Sequence, residues 1–199
     1  MQESNTWEVP MDSDNPKPAP GALALVQEFV NTRNYLHGGD LLADAEQATR
    51  SLTERGLLQE GESVGESERR RLVSLREALR GLLLVHNGAA EPGPDAEDLN
   101  GLVTSAALGV RFRADGHPTL EPAAGDSLAE RVVARLLAGV IWAEAEGTWE
   151  RLKACRNEGC RWAFYDASKN RSGRWCNMDV CGARHKMRTY RERKSSGVR

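Results

Sequence analysis

All four cysteines of this 199-residue chain lie within one short segment, from Cys155 to Cys181. They form two pairs with four residues inside each pair: Cys155 with Cys160, and Cys176 with Cys181. Two close pairs separated by fifteen residues are typical of a four-cysteine zinc site. Four thiolates complete a tetrahedral shell, so no position remains for water or a substrate. The spacing therefore predicts one structural Zn²⁺ bound by these four cysteines.

The basic residues are concentrated in the same part of the chain. Residues 151–199 contain 14 Lys and Arg against 4 Asp and Glu and are formally +10, whereas residues 1–150 are formally −12. A segregated cationic segment favours an anionic partner, and nucleic acid is the first candidate. The alternative is a solvated basic surface without a partner. We expect DNA to bind the basic end, while the acidic remainder stays clear of it.

The cations fall on a loop between the cysteine pairs and on a segment after Cys181. Residues 161–175 predict two short strands, around Phe164 and Trp175, joined by a polar loop. The segment CGARHKMRTYRERK predicts a helix with an apolar inner row and a basic outer row. The inner row comprises Ala183, Met187 and Tyr190. The candidate DNA-contacting residues are Lys169, Asn170, Arg171, Arg174, Arg184, Lys186, Arg188 and Arg191.

The residues before the cysteines predict a helical body. A first helix follows Gly21, and a second begins with Asp40 as its N-cap and ends at Gly56. A third helix carries leucines on one face and ends near Asn87. The segment Pro92–Pro94 then interrupts the chain before a short helix. The leucines of the third helix are Leu72, Leu75, Leu79, Leu82 and Leu83.

A small β element and a long helix complete the body. Alternation around Val110 and Phe112 predicts a strand, followed by a turn and a return strand. A long helix begins at Ser127 and continues through Leu152, almost to the first cysteine. The fold class is mainly α with a small β element: a helical N-terminal domain plus a C-terminal treble-clef-like zinc finger. The predicted divisions are a flexible lead-in (1–20), a helical domain (21–152) and a finger with a basic C-terminal helix (153–199).

Other chemistry has little support in the sequence. There is no P-loop, HExxH, GxSxG or Gly-rich dinucleotide fingerprint, so we expect no enzyme. No apolar run approaches the roughly 20 residues of a membrane span, and the first residues do not resemble a secretory signal, so we expect a cytoplasmic protein. Asn31, Thr32 and Arg33 are candidates for binding a small-molecule effector, with a helix cap and turn as the alternative. The oligomeric state stays open, and a homo-oligomer is compatible with the sequence.

The cysteine segment resembles the CGNR zinc finger over residues 155–193. The shared pattern consists of the two cysteine pairs, a W-x-F-x-D-x-S-K-N-like centre, R-W-C, and a C-G-N-R signature before a basic helix. The residues that match are Trp162, Phe164, Asp166, Ser168, Lys169, Asn170, Arg174, Trp175, Cys176, Cys181, Gly182 and Arg184. Ala183 stands where the signature has asparagine, which removes one side-chain amide and leaves the metal ligands unchanged.

The body resembles the ABATE domain, which commonly precedes this finger. The likeness is carried by FVNTR at Phe29–Arg33, by REALR and by the two-strand element, and the whole resemblance covers residues 21–194. It implies a bacterial, stress-responsive transcription regulator with a sensor-like domain and a DNA-binding finger. The long helix would reach the finger within three residues and transmit a shift from the body. The alternative function is a zinc-containing protein-interaction module without direct DNA binding.

Overall fold

The computed structural model describes residues 17–89, 96–123 and 127–195. These residues form six α-helices and two separate two-stranded antiparallel sheets. The helices are α1 (Leu23–Val30), α2 (Ala45–Glu54), α3 (Glu66–His86), α4 (Ala96–Val103), α5 (Leu128–Ala145) and α6 (Ala183–Ser195). The strands are β1 (Leu108–Phe112), β2 (Pro118–Pro122), β3 (Leu152–Ala154) and β4 (Ala163–Tyr165). The predicted fold class, mainly α with a small β element, is confirmed.

The core lies between α1, α3 and α5, with α3 at its centre. The leucines predicted for one face of α3 are buried in this core, apart from the partly buried Leu82. Helices α1 and α5 cross closely at Gly139, where an added Cβ would lie 3.0 Å from the carbonyl oxygen of Ala22. Within the part of the chain that the structure describes, no helix has the length and apolar character that crossing a membrane requires.

Helix α5 begins as predicted but ends earlier. Ser127 accepts a hydrogen bond from the Glu130 amide, and the Glu130 carboxylate accepts one from the Ser127 amide, which forms a capping box. The prediction that the helix continues through Leu152 is wrong. It ends at Ala145, because Gly147 adopts a left-handed conformation (φ +66°) that breaks the helix. The chain then makes one 3₁₀ turn, Trp149–Arg151, and enters β3.

The N-cap of α2 also differs from the prediction. Asp44, in extended conformation, accepts a hydrogen bond from the Gln47 amide and caps the helix. Asp40 lies further upstream and instead binds the guanidinium of Arg76 through both carboxylate oxygens. Either aspartate could serve as an N-cap by residue type. The long-range ion pair with Arg76 occupies Asp40, and Asp44 caps the helix.

The ribbon β1–β2 has the predicted strands and turn, but the strands predicted within the finger are only half correct. Strand β4 includes Phe164 as predicted, yet it pairs with β3, which precedes the first cysteine. The residues around Trp175 form no strand. The carbonyl of Arg174 instead accepts hydrogen bonds from the Asn87 side chain and the Arg156 amide.

The end of the predicted flexible lead-in is fixed on the finger. The Lys17 carbonyl accepts hydrogen bonds from the Tyr165 amide and the Gln27 side chain, and the Lys17 ammonium donates to the Trp175 carbonyl. Residues 17–20 therefore do not behave as a flexible lead-in. The remaining lead-in residues, 1–16, and the predicted break at Pro92–Pro94 lie outside the described residues.

Candidate metal centre and nucleic-acid interface

The four cysteine sulfurs come together as the spacing predicts. All four Sγ atoms lie within 4.8 Å of one another, and all four residues are buried and free of disulfides. The Sγ atom of Cys176 is 3.6 Å from that of Cys160 and 3.9 Å from that of Cys181. Tetrahedral zinc with Zn–S bonds of about 2.3 Å requires sulfurs roughly 3.8 Å apart. The donor set and its spacing therefore fit one structural Zn²⁺.

Two short turns hold the cysteine pairs. In the first, the Cys160 amide donates to the Asn157 carbonyl at 2.7 Å, directly after β3 delivers Cys155. In the second, the Asn177 side chain caps the turn Met178–Gly182, which contains Cys181 and leads into α6. Asn157 Nδ2 also donates to the Cys181 sulfur at 3.4 Å and so joins the two turns.

A divalent cation would relieve the repulsion among the four cysteine thiolates. The Cys155 sulfur accepts hydrogen bonds from Cys160 and Cys176, which lowers its pKa to about 2. Cys155 in turn raises the pKa of Cys160 to about 12 and, together with Cys160, raises the pKa of Cys176. Four thiolates at this separation would repel one another strongly, and a divalent ion removes that repulsion. The partly buried side chains of Leu36, Trp162 and Trp175 pack around the cluster.

The loop between the cysteine pairs is fixed by a buried ion pair that the sequence reading missed. The Lys153 ammonium binds the Asp166 carboxylate at 2.7 Å and donates to the carbonyls of Arg171 and Gly173. Asp166 also accepts hydrogen bonds from the amides of Ser168 and Gly173. Although burial opposes it, the Lys153 contact together with the hydrogen bonds holds the pKa of Asp166 far below its usual range.

The predicted DNA-contacting residues fall into two groups in the structure. Arg184, Lys186, Arg188 and Arg191 are exposed along α6. The loop residues Lys169, Asn170, Arg171 and Arg174 are also exposed. Among them, Arg171 is turned back onto the body, where its guanidinium binds Glu150 at 3.0 Å. Arg171 is therefore less available for a partner than the other three loop residues.

The predicted inner row of α6 is not an inner row. Met187 and Tyr190 are 54% and 63% exposed, and Ala183 is exposed as well. The described part of α6 has no buried residue and packs mainly on the turn Met178–Gly182. The sequence pattern correctly predicts the helix, but its apolar side does not face the protein. Asparagine at position 183 would likewise lie at an exposed site.

The candidate effector residues are used for internal contacts. The Asn31 side chain donates to the Ala163 carbonyl at 3.0 Å and accepts from the Ala163 amide at 2.8 Å. The Thr32 hydroxyl caps the end of α1 by donating to the Phe29 carbonyl at 2.8 Å. These contacts favour the structural alternative for Asn31 and Thr32. Arg33 differs, because its guanidinium remains partly exposed and lies over the ring of Tyr35.

Several buried polar residues that sequence reasoning did not single out join the body to the finger. Arg80 donates to the carbonyl of Arg161, and Asn87 donates to those of Ala154 and Arg174. Arg156 returns hydrogen bonds to the carbonyls of Asn87 and Gly88. The charged REALR motif, which contains Arg80, was the available signal, because two arginines on the core-facing side of a helix require specific partners.

Comparison with protein families agrees with this architecture. Residues 151–194 match the CGNR zinc finger. Residues 23–146 match the ABATE family, described as "Putative stress-induced transcription regulator". A search of curated proteins finds no match. Because the second match covers more than half of the chain, the protein belongs to the ABATE family and carries a CGNR zinc finger at its carboxyl side.

Proposed function

We propose that this protein is a transcription regulator that binds duplex DNA through α6. The observation that carries the proposal is that α6 has no buried residue and that all its residues except the half-buried Thr189 are exposed. An isolated 13-residue helix is marginal in water, so a helix kept in this state is expected to gain stability from a partner. Its cations are Arg184, Lys186, Arg188, Arg191, Arg193 and Lys194.

One face of α6 is the best candidate for the contact. Arg184, Arg188 and Arg191 line a shallow groove whose apolar part contains Val180 and Met187. Two carboxylates, Asp179 and Glu192, line the same groove, and Glu192 lies 3.9 Å from Arg188. Arginine suits both phosphate and guanine, whereas exposed apolar groups suit sugar and thymine methyl groups. Lys186 and Arg193 are about half a turn away on the opposite face. We assign the groove face to DNA and the opposite face to solvent.

The metal centre supplies rigidity for this contact. Cys181 lies in the turn from which α6 begins, so zinc fixes the origin and direction of the helix. The role of zinc in the proposal is structural, and the proposed function involves no catalysis. A cytoplasmic location belongs to the same proposal.

The test is DNA binding by the zinc-loaded full chain, measured by fluorescence anisotropy on duplexes selected from a random pool. R184E/R188E should weaken binding at least tenfold. The matched control is K186E/R193E, which makes the same change in net charge on the opposite face and should weaken binding much less. For the unmodified protein, log affinity should fall against log salt with a slope of about 0.9 per phosphate contacted. A protein that shows no salt-sensitive affinity for any selected duplex would overturn the proposal.

A protein-interaction role is the second candidate, favoured by the exposure of Met187 and Tyr190. These side chains could pack against a partner protein instead of DNA. Y190S discriminates between the two functions, because Tyr190 does not line the groove that we assign to DNA. Under the DNA proposal this variant retains most of its affinity for the selected duplex, whereas under the alternative it loses a protein partner while charge reversal at Arg184 and Arg188 has little effect.

A further inference from the structure

A cluster of charged residues surrounds Tyr35 where the body meets the finger. Its inner layer is electrically balanced. Arg76 binds Asp40 through two hydrogen bonds, and Arg80 binds Glu77 at 3.0 Å. Both guanidiniums are almost fully buried, and Arg80 also donates to the carbonyls of Val30 and Arg161. This layer is neutral in sum and has satisfied its hydrogen bonds through protein groups.

The outer layer of the cluster is not balanced. The guanidiniums of Arg33 and Arg161 lie 5.1 Å and 5.9 Å from the centroid of the Tyr35 ring, which also receives Arg80 at 5.1 Å. Arg33 approaches Asp40 only at 3.9 Å, and that carboxylate already binds Arg76 through both oxygens. Over the ranges that the structure describes, no carboxylate lies within 4 Å of the Arg161 guanidinium. Two positive charges near the ring therefore lack a carboxylate of their own.

The backbone conformation at Arg161 favours glycine, which indicates that the arginine side chain has a role at this position. Arg161 has φ +50°, a left-handed conformation that glycine adopts without cost and that other residues adopt at a cost of about 1 kcal/mol. The conformation serves the cysteine turn, which would be equally well served by glycine. Metal binding alone does not explain an arginine here, whereas an anion held jointly with Arg33 does. Asn157, not Arg161, provides the described side-chain hydrogen bond to a cysteine sulfur.

We propose that Arg33 and Arg161, whose guanidiniums both approach the ring of Tyr35, form a binding site for a small molecule that carries a phosphate or pyrophosphate group. Two guanidiniums near one aromatic ring offer N–H donors to such an anion. Arg33 comes from the body and Arg161 from the finger, so the bound anion would link the two. Anion binding at this site does not depend on whether the protein binds DNA. A role of the anion in regulating DNA binding, however, rests on the proposed function.

Inorganic pyrophosphate, with inorganic phosphate in parallel, is the probe for the zinc-loaded full chain. Isothermal titration at constant ionic strength should show saturable binding of at least one of the two anions. R161G removes the guanidinium and suits the left-handed backbone, and R33A removes the other one; each should weaken binding at least tenfold. The control is R70A, which also removes the positive charge of one exposed arginine, but at a distant position on α3. This variant should bind the anions like the unmodified protein. Zinc content is measured for every variant.

Three results would overturn the proposal. The first is that neither anion binds, and the second is that R161G and R70A bind the anions equally well. The third is that R161G loses anion binding only in preparations that have also lost zinc. A fourth concerns the source of the phosphate. If R161G and R33A weaken binding to the selected duplex but neither anion binds, the cluster contacts the DNA backbone and the small-molecule site is rejected. Charge reversal at Arg184 and Arg188 should leave pyrophosphate binding intact, so failure of the DNA proposal is distinguishable from failure of this one.

Discussion

Lys153 and Asp166 form the most fully buried ion pair of the finger, with side chains only 5% and 4% exposed. Their importance comes from the number of groups they organise. Asp166 holds the amides of Ser168 and Gly173, while Lys153 holds the carbonyls of Arg171 and Gly173. An added Cβ at Gly173 would lie 2.8 Å from the Asp166 carboxylate, so glycine is required for this close approach. The basic loop between the cysteine pairs is therefore shaped by two buried charges.

Replacing Asp166 with asparagine should destabilise the protein by about 3–5 kcal/mol, because the Lys153 ammonium would stay buried without its counter-charge. The measurement is urea unfolding of the zinc-loaded protein. D115N is the control, since Asp115 pairs with Arg113 on the surface at 3.2 Å, where such a pair contributes about 0–1 kcal/mol. Equal destabilisation by the two variants would contradict the role given to the buried pair.

His86 is a second residue whose burial has a measurable consequence. Its Nδ1–H donates to the Leu152 carbonyl at 2.9 Å, and its ring contacts Trp149 edge-on. Burial lowers its pKa from 6.5, while the Leu152 carbonyl and the carboxylates of Glu150 and Glu144 act in the opposite direction. The folded state thus binds fewer protons than the unfolded state. The stabilisation is complete above pH 6.5 and is lost as the pH falls from there through the lowered pKa.

The free energy of unfolding should therefore fall more steeply between pH 7.5 and pH 6 for the unmodified protein than for H86Q. Urea unfolding at several pH values measures this slope. H37Q, which replaces an exposed histidine, should retain the slope of the unmodified protein. Protonation of the metal ligands affects all three proteins alike. Parallel slopes for the unmodified protein and H86Q would refute the assignment.

At the scale of elements, Gly139 in α5 allows α1 and α5 to cross closely, because it has no side chain. Gly139 allows the backbone of Ala22 to approach so closely that an added Cβ would lie 3.0 Å from its carbonyl oxygen and 3.4 Å from Val26. Glycine inside a helix costs about 1 kcal/mol relative to alanine. At this position we expect the close packing to outweigh that cost, because overpacking a core typically costs about 1–3 kcal/mol.

G139A should accordingly destabilise the protein by up to about 2 kcal/mol, the overpacking cost less the gain in helix propensity. G101A is the matched control in α4, where an added Cβ meets no atom within 4 Å. It should stabilise the protein by about 0.5–1 kcal/mol from propensity alone. Thermal unfolding of both variants measures the difference in sign. Stabilisation by G139A would show that α1 and α5 can separate without cost.

The elements that the sequence predicted are those with local signals. The capping box at Ser127 and Glu130 marks the start of α5, and the leucines of α3 mark its buried face. The cysteine spacing predicts the metal site because each cysteine pair lies on one short turn, which is also a local signal. Each of these features depends on residues a few positions apart.

The elements that the sequence did not predict depend on distant partners. The choice of Asp44 over Asp40 as N-cap depends on Arg76, and the partner of β4 lies on the other side of a cysteine pair. The exposure of Met187 also required the tertiary structure, since an apolar row on a helix usually faces a core. No local pattern distinguishes a row that faces the protein from one that faces outwards.

At the scale of the whole molecule, finger and body share one hydrogen-bond network. The backbone of Ala163 in β4 is held by the side chains of Gln27 and Asn31 from α1. The end of α3 is held by Arg156 and contributes Asn87 in return. The body is therefore bonded to the finger that holds the metal centre, although it contributes none of the four cysteines. A shift in the body would reach the finger through these bonds rather than through one continuous helix.

Zinc removal should consequently loosen α1 as well as the finger. Zinc contributes on the order of 10 kcal/mol to folding in finger peptides, and without it β4 would no longer present Ala163 to α1. Hydrogen exchange of the chelated protein should show at least tenfold faster exchange of α1 amides, with a smaller effect on the distant ribbon β1–β2. C176S should reproduce the effect without chelator. Unchanged protection of α1 after complete zinc loss would show that the body folds independently.

The pairing of α1 with β4 also constrains how the chain is made. Asn31 and Ala163 are 132 residues apart, so the buried amide of Asn31 leaves the ribosome long before the strand that will satisfy it. During synthesis the N-terminal helix has an exposed apolar face, and the Asn31 side chain lacks its strand partner, until the cysteines emerge and bind their ion. Cells short of zinc would accumulate this unfinished form. The supply of metal at the time of translation would thus limit how much of the chain completes its fold.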